Sequence, residues 1–379
     1  MRILIPLHHL ASWAGGLDLT RTIVDALRHS RINGDLDLVF AQSTGDQTDT
    51  PSQAELRAST EHMTQGFKTI ACTADGRALM RAAIDSDAQV IFPTMVPIRG
   101  SHVRKVGYIY DFQHIDLPDL FTAEEAEGRS IVFSELAERS DAMFCTSEFV
   151  ADGMVQLLDV PRHHILVLPF MAHADAAWFE TDIADAQRKY GLPDRYLIIC
   201  NHFWVHKDHS TALRAFATLV ESGEYPDLHL VMTGDTDDFR DTGHFARLQV
   251  MMQDLGIADR CHVLGLIPKL DQIALLRGAT AMLQPTRYEG SPGGMSTFQA
   301  TALGVPALLS DIAVNREAQA CTIQHFRTGD ADDLARLLHA TLRDPPHRPL
   351  RDQLHHELRQ GLSIAGDRIA HFLTQLARS

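Results

Sequence analysis

The residue types best suited to binding an anion lie in one loop of the second half of the chain. An apolar run, Ala281–Gln284, is followed by Glu289, by Gly293 and Gly294, and then by a helical pattern that begins near Ser296. Glycines let a ligand approach the backbone closely, and the N–H groups at a helix start attract negative charge. The groups predicted to hold a phosphate are the N–H groups of Gly294, Met295 and Ser296. A plain turn with Ser296 as the N-cap is the alternative.

A second candidate loop, residues 200–209, carries Lys207 between the strand pattern Arg195–Cys200 and a helical pattern that begins near Ser210. An ammonium group is a compact charge that binds phosphate, whereas a histidine adds charge only when it is protonated. The histidines of this loop are His202, His206 and His209. Because their spacing is irregular, we expect no metal site here, and a solvated loop is the alternative to phosphate binding.

The first half of the chain offers two weaker candidates. Asp111 and His114 follow the strand pattern Lys105–Tyr110, and parallel sheets bind their ligands at the carboxyl ends of strands. The alternative is that Asp111 caps a turn and that His114 is an ordinary loop histidine. Gly15 and Gly16 form a flexible pair between the first strand and a helix predicted to begin at Leu17.

The elements that must position these residues form two successive series of short apolar strands alternating with helices. Such strands indicate parallel sheets covered on both faces. Predicted strands of the first series are Arg2–Leu7, Leu36–Ala41, Ala88–Pro93, Lys105–Tyr110, Ala142–Thr146 and Ile165–Leu168. Those of the second are Arg195–Cys200, Leu228–Thr233, Cys261–Leu264, Ala281–Gln284 and Ala307–Ser310. The predicted fold class is α/β, with two tandem Rossmann-like doubly wound domains facing across a cleft.

The predicted domain boundaries follow from a break in this alternation after residue 170. Residues 1–170 form the first domain, 171–352 the second, and 353–379 a C-terminal segment that packs back toward the first. A helix is predicted over Leu354–Leu376, which Gly361 and Gly366 could kink or divide.

Composition excludes several classes of protein. The net charge of −15 over 379 residues disfavours a nucleic-acid partner, which needs a basic surface. Five cysteines without a C-x-x-C pair indicate a reducing compartment and no structural zinc. No stretch approaches the roughly 18 apolar residues of a membrane-spanning helix. We therefore expect a cytoplasmic protein, with the basic residues Arg99, Arg104 and Lys105 as a candidate contact to an anionic membrane face.

The second half resembles the retaining glycosyltransferases of family 4, whose signature reads Glu-Gly-Phe-Gly-Leu-x-x-x-Glu-Ala-x-Ala-x-Gly-x-Pro. This sequence supplies Glu289-Gly290 and then Gln299-Ala300-Thr301-Ala302-Leu303-Gly304-Val305-Pro306. It departs from the pattern in having Gln299 for the second glutamate and two additional loop residues. The resemblance covers residues 195–340 well and the N-terminal half loosely.

The resemblance implies the GT-B fold and transfer of a sugar from a nucleotide-diphosphate donor without a metal or other cofactor. It places Lys207 and His202 at the donor diphosphate, Glu289 at the donor sugar and Gln299 at the ribose. It also places His114, and more weakly Asp111, near the donor sugar. Lys207, Glu289, His114 and Asp111 are the expected catalytic residues.

The resemblance further implies that Gly15 and Gly16 let the acceptor and the donor diphosphate approach the first helix. The acceptor expected by this analogy is a glycan or a lipid-linked glycan, as in polysaccharide biosynthesis. Three alternatives stay open: a nucleotide-sugar epimerase, a sugar phosphorylase, and a non-catalytic nucleotide-sugar-binding protein that assists a partner.

Overall fold

The computed structural model describes residues 1–12, 14–32, 36–43, 51–168 and 176–379. They divide into two units, Met1–His173 together with Glu357–Ser379, and Ala174–His356. Each unit contains one parallel β-sheet, so the α/β class with two parallel-sheet units is confirmed. In the described ranges, no helix is long and apolar enough to cross a membrane.

The sheet of the first unit has seven strands among the described residues, in the order β3-β2-β1-β4-β5-β6-β7. The strands are β1 (Arg2–Pro6), β2 (Asp37–Gln42), β3 (Lys68–Ala71), β4 (Val90–Thr94), β5 (Arg104–Tyr108), β6 (Ala142–Cys145) and β7 (Ile165–Val167). The helices before and between them are α1 (Ala14–His29), α2 (Pro51–Thr64), α3 (Gly76–Asp85), α4 (Gln113–Asp116), α5 (Ala123–Arg139) and α6 (Glu148–Leu158).

The sheet of the second unit has the order β10-β9-β8-β11-β12-β13. Its strands are β8 (Tyr196–Cys200), β9 (His229–Thr233), β10 (Cys261–Gly265), β11 (Ala281–Gln284), β12 (Ala307–Ser310) and β13 (Ile323–Phe326). The helices are α7 (Ala176–Glu180), α8 (Ile183–Tyr190), α9 (His209–Glu221), α10 (His244–Asp254), α11 (Lys269–Gly278), α12 (Gly294–Ala302) and α13 (Ala331–Arg343). A last helix, α14 (Arg351–Arg378), begins in this unit and belongs to the first unit from Glu357 onward.

Apolar burial explains which strands the sequence predicted. The residues of β11 and β12 are buried throughout, because helices cover both faces of a parallel sheet, and such strands are continuous apolar runs. β3 is an edge strand with mostly exposed residues, and β13 is another edge strand that mixes polar with apolar residues. The sequence prediction missed both, together with α2 and α3.

Local capping explains where α5 begins. The sequence predicted a helix only over Val132–Ser140, but α5 begins nine residues earlier, at Ala123, where Thr122 and Glu125 form a reciprocal capping box. The Thr122 side chain accepts from the Glu125 N–H, and the Glu125 carboxylate accepts from the Thr122 N–H. This pair satisfies two N–H groups that a helix start otherwise leaves unpaired, and it starts the helix before its apolar stretch.

The expected division of the C-terminal helix is wrong, because α14 runs uninterrupted through Gly361 and Gly366. Gly366 instead permits close packing on α1: a Cβ there would lie 1.8 Å from the Ala26 carbonyl oxygen. The neighbouring Asp367 carboxylate accepts hydrogen bonds from the Ser30 hydroxyl and from the backbone and guanidinium of Arg31. Glycine therefore serves helix contact here.

Replacing Gly366 with alanine should destabilise the first unit. The added methyl group must push α14 away from the Ala26 carbonyl, and such overpacking costs about 1–3 kcal/mol. Gly128 is a matched control because a Cβ on this α5 residue meets nothing within 4 Å. Gly128→Ala should instead stabilise by up to about 1 kcal/mol through helix propensity. Chemical denaturation measures both, and a Gly366→Ala protein as stable as Gly128→Ala would contradict this packing.

Candidate functional site

The candidate site of the second unit lies where its strand order reverses. β8 and β11 are sheet neighbours although they are separated along the chain. A reversal of this kind leaves a crevice at the carboxyl ends of the two strands. The loop after β8 carries Lys207, and the loop after β11 carries Glu289. The two loops are held together because the Arg287 N–H donates to the His206 carbonyl at 2.8 Å.

Lys207 and Glu289 form a sequestered ion pair at this crevice. The Lys207 Nζ lies 2.6 Å from the Glu289 Oε1, and the two side chains are only 12% and 10% exposed. Removing two charges from water is costly, and close contact with further hydrogen bonds offsets that cost. The structure therefore brings together two residues that the sequence placed 82 positions apart.

A buried amide chain supplies further hydrogen bonds to this pair. The Gln284 Nε2 donates to the Glu289 Oε1 at 2.9 Å, and the Asn201 Nδ2 donates to the Gln284 Oε1 at 2.6 Å. Gln284 is 0% exposed at the end of β11, and Asn201 is 9% exposed just after β8. Sequence reasoning missed both residues, although a glutamine that ends an apolar strand is a usable signal.

The glycine loop bends the chain toward the pair. Gly293 and Gly294 have φ values of +68° and +66°, a conformation that side-chain-bearing residues rarely adopt. The Gly293 N–H donates to the Asn315 Oδ1 at 2.8 Å. A Cβ on Gly294 would lie 3.2 Å from the Glu289 Oε2. The loop backbone therefore passes directly beside the free oxygen of the carboxylate.

The start of α12 corrects two details of the sequence prediction. The helix begins at Gly294 with Gly293 as its N-cap, so Ser296 is not the cap. The Gly294 N–H already donates to the Ser291 carbonyl at 3.1 Å. Met295 and Ser296 follow in the first turn, where N–H groups lack a carbonyl within the helix. Ser296 is 4% exposed, and its Oγ finds no hydrogen-bond partner within the described part of the chain.

His202 lies beside the pair as a neutral group. The Asp235 N–H donates to its Nδ1 at 3.0 Å, so its proton resides on Nε2. Burial, and then the positive charge of Lys207, lower its pKa below the ordinary value of 6.5. His202 therefore offers an N–H donor to a ligand. Because its imidazole is neutral, it adds no positive charge for phosphate binding. Gln299 lies on α12 with its side chain 2% exposed.

The other histidines of this loop are buried packing residues. His209 is 0% exposed and stacks on Phe203 with ring centroids 4.3 Å apart. Burial, and then neighbouring positive groups, lower the pKa of His206 to about 2 and that of His209 to about 3. The residues described contain no group of three or more His, Cys, Asp or Glu side chains that could hold a metal ion.

In the first unit, Asp111 and His114 lie on one aromatic cluster. The Asp111 Oδ1 accepts from the Arg129 Nη2 at 2.5 Å and from the Gln113 N–H at 3.0 Å. His114 is 2% exposed and contacts the Ser130 hydroxyl through Nε2 at 3.1 Å. Burial, and then the Arg129 charge, lower its pKa. Asp111 thus caps a turn, as the alternative reading of the sequence predicted, and it also pairs with Arg129. The sequence analysis did not identify Arg129.

Arg129 borders an open pocket of about 240 Å³. Its guanidinium lies over the rings of Tyr110, Phe121 and Phe133, with centroid distances of 5.0, 5.2 and 5.5 Å. Tyr110 and Phe133 also line the pocket, together with His9 and Tyr108. The pocket combines aromatic walls with one ion-paired cation, a surface suited to a ring that carries hydroxyl groups.

Two other candidates of the first unit have different surroundings from those expected. Gly15 and Gly16 lie inside the first turn of α1, which begins at Ala14, so they do not form a separate loop before it. In the basic cluster, Arg104 and Lys105 both pair with Asp141, at 2.9 and 3.3 Å, and the Lys105 side chain is 8% exposed. The single carboxylate of Asp141 therefore offsets one of the three positive charges proposed for a membrane contact.

Residues 182–360 match the family model described as glycosyl transferases group 1. The matched residues make up just under half of the chain. They contain both loops of the candidate site and nearly all of the second unit. A comparison with curated protein sequences finds none that matches.

Solved structures similar to this chain align over nearly all of its length. A sucrose-phosphate synthase from Thermosynechococcus elongatus has 16% identity and a TM-score of 0.65, covering 99% of this chain and 97% of that one. A glycosyltransferase from Rickettsia africae has 13% identity and a TM-score of 0.68, covering 100% and 98%. Anabaena HepE, in complex with UDP and glucose, has 13% identity and a TM-score of 0.63, covering 100% and 98%. These neighbours confirm the GT-B fold.

Acid should destabilise the second unit through His206 and His209. Their folded-state pKa values lie below the unfolded value of 6.5, so the unfolded chain binds more protons. Their stabilising contribution is complete above about pH 6.5 and declines as pH falls, by up to about 1.4 kcal/mol per pH unit for each histidine.

His209→Phe tests this, because it keeps an aromatic ring against Phe203 and removes the titratable group. The slope of unfolding free energy against pH, measured between about pH 5 and 6.5, should fall by about one proton. His371→Phe, at an exposed position of α14, is the control and should leave the slope unchanged. Equal slopes in the wild type and His209→Phe would show that His209 is not the acid-sensitive group.

Proposed function

We propose that this chain is a retaining glycosyltransferase that moves a sugar from a nucleoside-diphosphate donor to a glycan or lipid-linked acceptor, without a metal. The observation that carries the proposal is the convergence of Lys207, Glu289 and the first turn of α12 on one crevice. A cation, a carboxylate and the N–H donors of a helix start in one place match the parts of a nucleoside-diphosphate sugar.

The diphosphate is the part of the donor that fits the positive side of the site. The Lys207 ammonium, the N–H groups of Met295 and Ser296 and the unpaired Ser296 hydroxyl are all hydrogen-bond donors. Anions bind at helix starts because the N–H groups point outward and the macrodipole favours negative charge. Anabaena HepE, which shares the fold, is in complex with UDP and glucose, and this supports a uridine diphosphate as the first donor to test.

The sugar is the part that fits Glu289. One carboxylate oxygen is occupied by Lys207 and Gln284, and Oε2 lies beside Gly294, where no side chain intervenes. An ionised carboxylate only accepts hydrogen bonds, so Oε2 can receive a sugar hydroxyl. In the structure Glu289 neutralises Lys207, and a bound diphosphate would compete for the same ammonium group.

The proposed reaction uses these groups to stabilise the departing diphosphate. The bond between the sugar C1 and the phosphate oxygen breaks, and the acceptor oxygen bonds to C1 on the same face. The acceptor proton passes to the leaving phosphate oxygen, so no protein nucleophile is needed. Lys207 and the α12 donors stabilise the charge that grows on the phosphate, an effect commonly worth 100-fold or more for a single donor.

Lys207→Met should reduce transfer from UDP-glucose, or from the best donor in a panel of nucleotide sugars, by about 100-fold or more. The substitution also leaves the buried Glu289 carboxylate unpaired, which costs about 3–5 kcal/mol of stability. The double variant Lys207→Met/Glu289→Gln removes that charge, and it should fold normally while remaining inactive. The matched control is Lys189→Met, whose 56% exposed ammonium pairs with Asp271. Wild-type turnover by a folded Lys207→Met protein would remove Lys207 from the mechanism.

UDP should raise the thermal unfolding midpoint of the protein equally with and without EDTA. Binding to the folded state stabilises by linkage, about 2.7 kcal/mol at 100 times Kd, and the cationic groups are supplied by the chain itself. A differential scanning fluorimetry series with UDP, GDP and ADP measures the effect. A shift abolished by EDTA would show that binding requires a metal.

Product analysis separates the remaining alternatives. An epimerase converts the nucleotide sugar with no acceptor present, and a phosphorylase requires inorganic phosphate. A non-catalytic binding protein gives the UDP shift but consumes no donor with any acceptor. The reason to consider a non-catalytic protein is Gln299, which stands where the resembled family has a glutamate.

A further inference from the structure

The amide pair Asn201–Gln284 takes no direct part in the proposed transfer reaction. Gln284 is fully buried at the end of a strand whose other residues are apolar. A buried amide is costly unless it is hydrogen-bonded. Its hydrogen bond from Asn201 joins the ends of β8 and β11, and its hydrogen bond to Glu289 reaches the loop after β11. Its polar contacts are therefore directed at the site.

The charge of Glu289 fixes the direction of this chain of hydrogen bonds. An ionised carboxylate accepts and cannot donate, so Gln284 must present its NH₂ group to Glu289. Its carbonyl oxygen is then left to accept, and the Asn201 NH₂ group supplies the donor. Each amide therefore has one orientation that satisfies the chain, and the carboxylate receives a neutral donor in addition to Lys207.

Two donors of different mobility share the Glu289 Oε1. Lys207 has a long flexible stem, and its charge is attracted to any phosphate that enters the crevice. Gln284 is carried by a central strand of the sheet and is neutral, so a phosphate does not draw it away. When Lys207 turns to a ligand, Gln284 is the contact that remains on Oε1.

We propose that Asn201 and Gln284 are positioning residues that hold the Glu289 carboxylate in place while Lys207 moves to the donor diphosphate. Gln284 donates a hydrogen bond to Oε1 and so keeps Oε2 beside Gly294. Asn201 acts indirectly, by holding the Gln284 amide. This role rests on the proposed transfer reaction. It assigns the pair to orienting the sugar-side carboxylate, with no contact to the diphosphate.

Gln284→Leu tests the proposal because it preserves volume and removes both hydrogen bonds. We expect kcat for sugar transfer to fall at least tenfold, while the Kd for UDP, which lacks the sugar, stays within twofold of wild type. Asn201→Ala should give a smaller loss that disappears in the Gln284→Leu background. Thr341→Val is the matched control: Thr341 is a 2% exposed α13 residue that donates to the Leu337 carbonyl, and its loss should leave kcat unchanged.

A double-mutant cycle with Glu289→Ala separates positioning from a general structural role. If Gln284 acts through Glu289, Gln284→Leu should cause no further loss of kcat once Glu289 is alanine. Additive losses, or an unchanged kcat in Gln284→Leu, would overturn the proposal while leaving glycosyl transfer intact.

The same four proteins can also be compared by their unfolding midpoints, a measurement that does not require enzymatic activity. The loss of unfolding midpoint in Gln284→Leu/Glu289→Ala should be smaller than the sum of the two single losses, because the second substitution removes a contact that is already broken. If the wild type turned over no nucleotide sugar, the proposed function would fail, and this midpoint comparison would still decide whether Gln284 holds Glu289. Simple additivity of the midpoints would refute that contact.

Discussion

The buried contact between Lys207 and Glu289 is the interaction on which the site of the second unit depends. Two opposite charges, 12% and 10% exposed, are stable out of water only while each remains paired. Their contact fixes the loop after β8 against the loop after β11, and it brings the carboxylate beside the glycine pair. The amide chain bonds directly to this carboxylate, and the glycine that starts α12 lies beside it.

The sheet topology makes this contact possible. Because β8 and β11 are neighbours where the strand order reverses, their carboxyl ends open into one crevice and their loops meet. Two left-handed glycines then turn the second loop so that a helix starts at the crevice. In the first unit the strand order reverses between β1 and β4, and the residues that follow the next strand, β5, place Asp111 against Arg129 and an aromatic cluster.

The electrostatics of the second unit suit a ligand that carries both negative charge and hydroxyl groups. His202 and His206 remain neutral because burial and the charge of Lys207 lower their pKa values. Lys207 therefore carries the positive charge beside these two neutral histidines, and an anionic ligand would compete with Glu289 for it. In the proposed function, a bound diphosphate exchanges one ion pair for another and frees the Glu289 carboxylate to accept hydrogen bonds from the donor sugar.

The sequence by itself determined the two parallel-sheet units, most strands and the two loops of the site, because buried parallel strands are continuous apolar runs and glycines before a helix mark a turn. It also predicted that Lys207 and Glu289 contribute to one site. Only the tertiary structure decided that they pair with each other, that Gly294 already donates its N–H and that Gly366 is a packing contact. It alone revealed Gln284, Asn201 and Arg129, because a hydrogen bond between residues far apart in the chain leaves no periodic trace in the sequence.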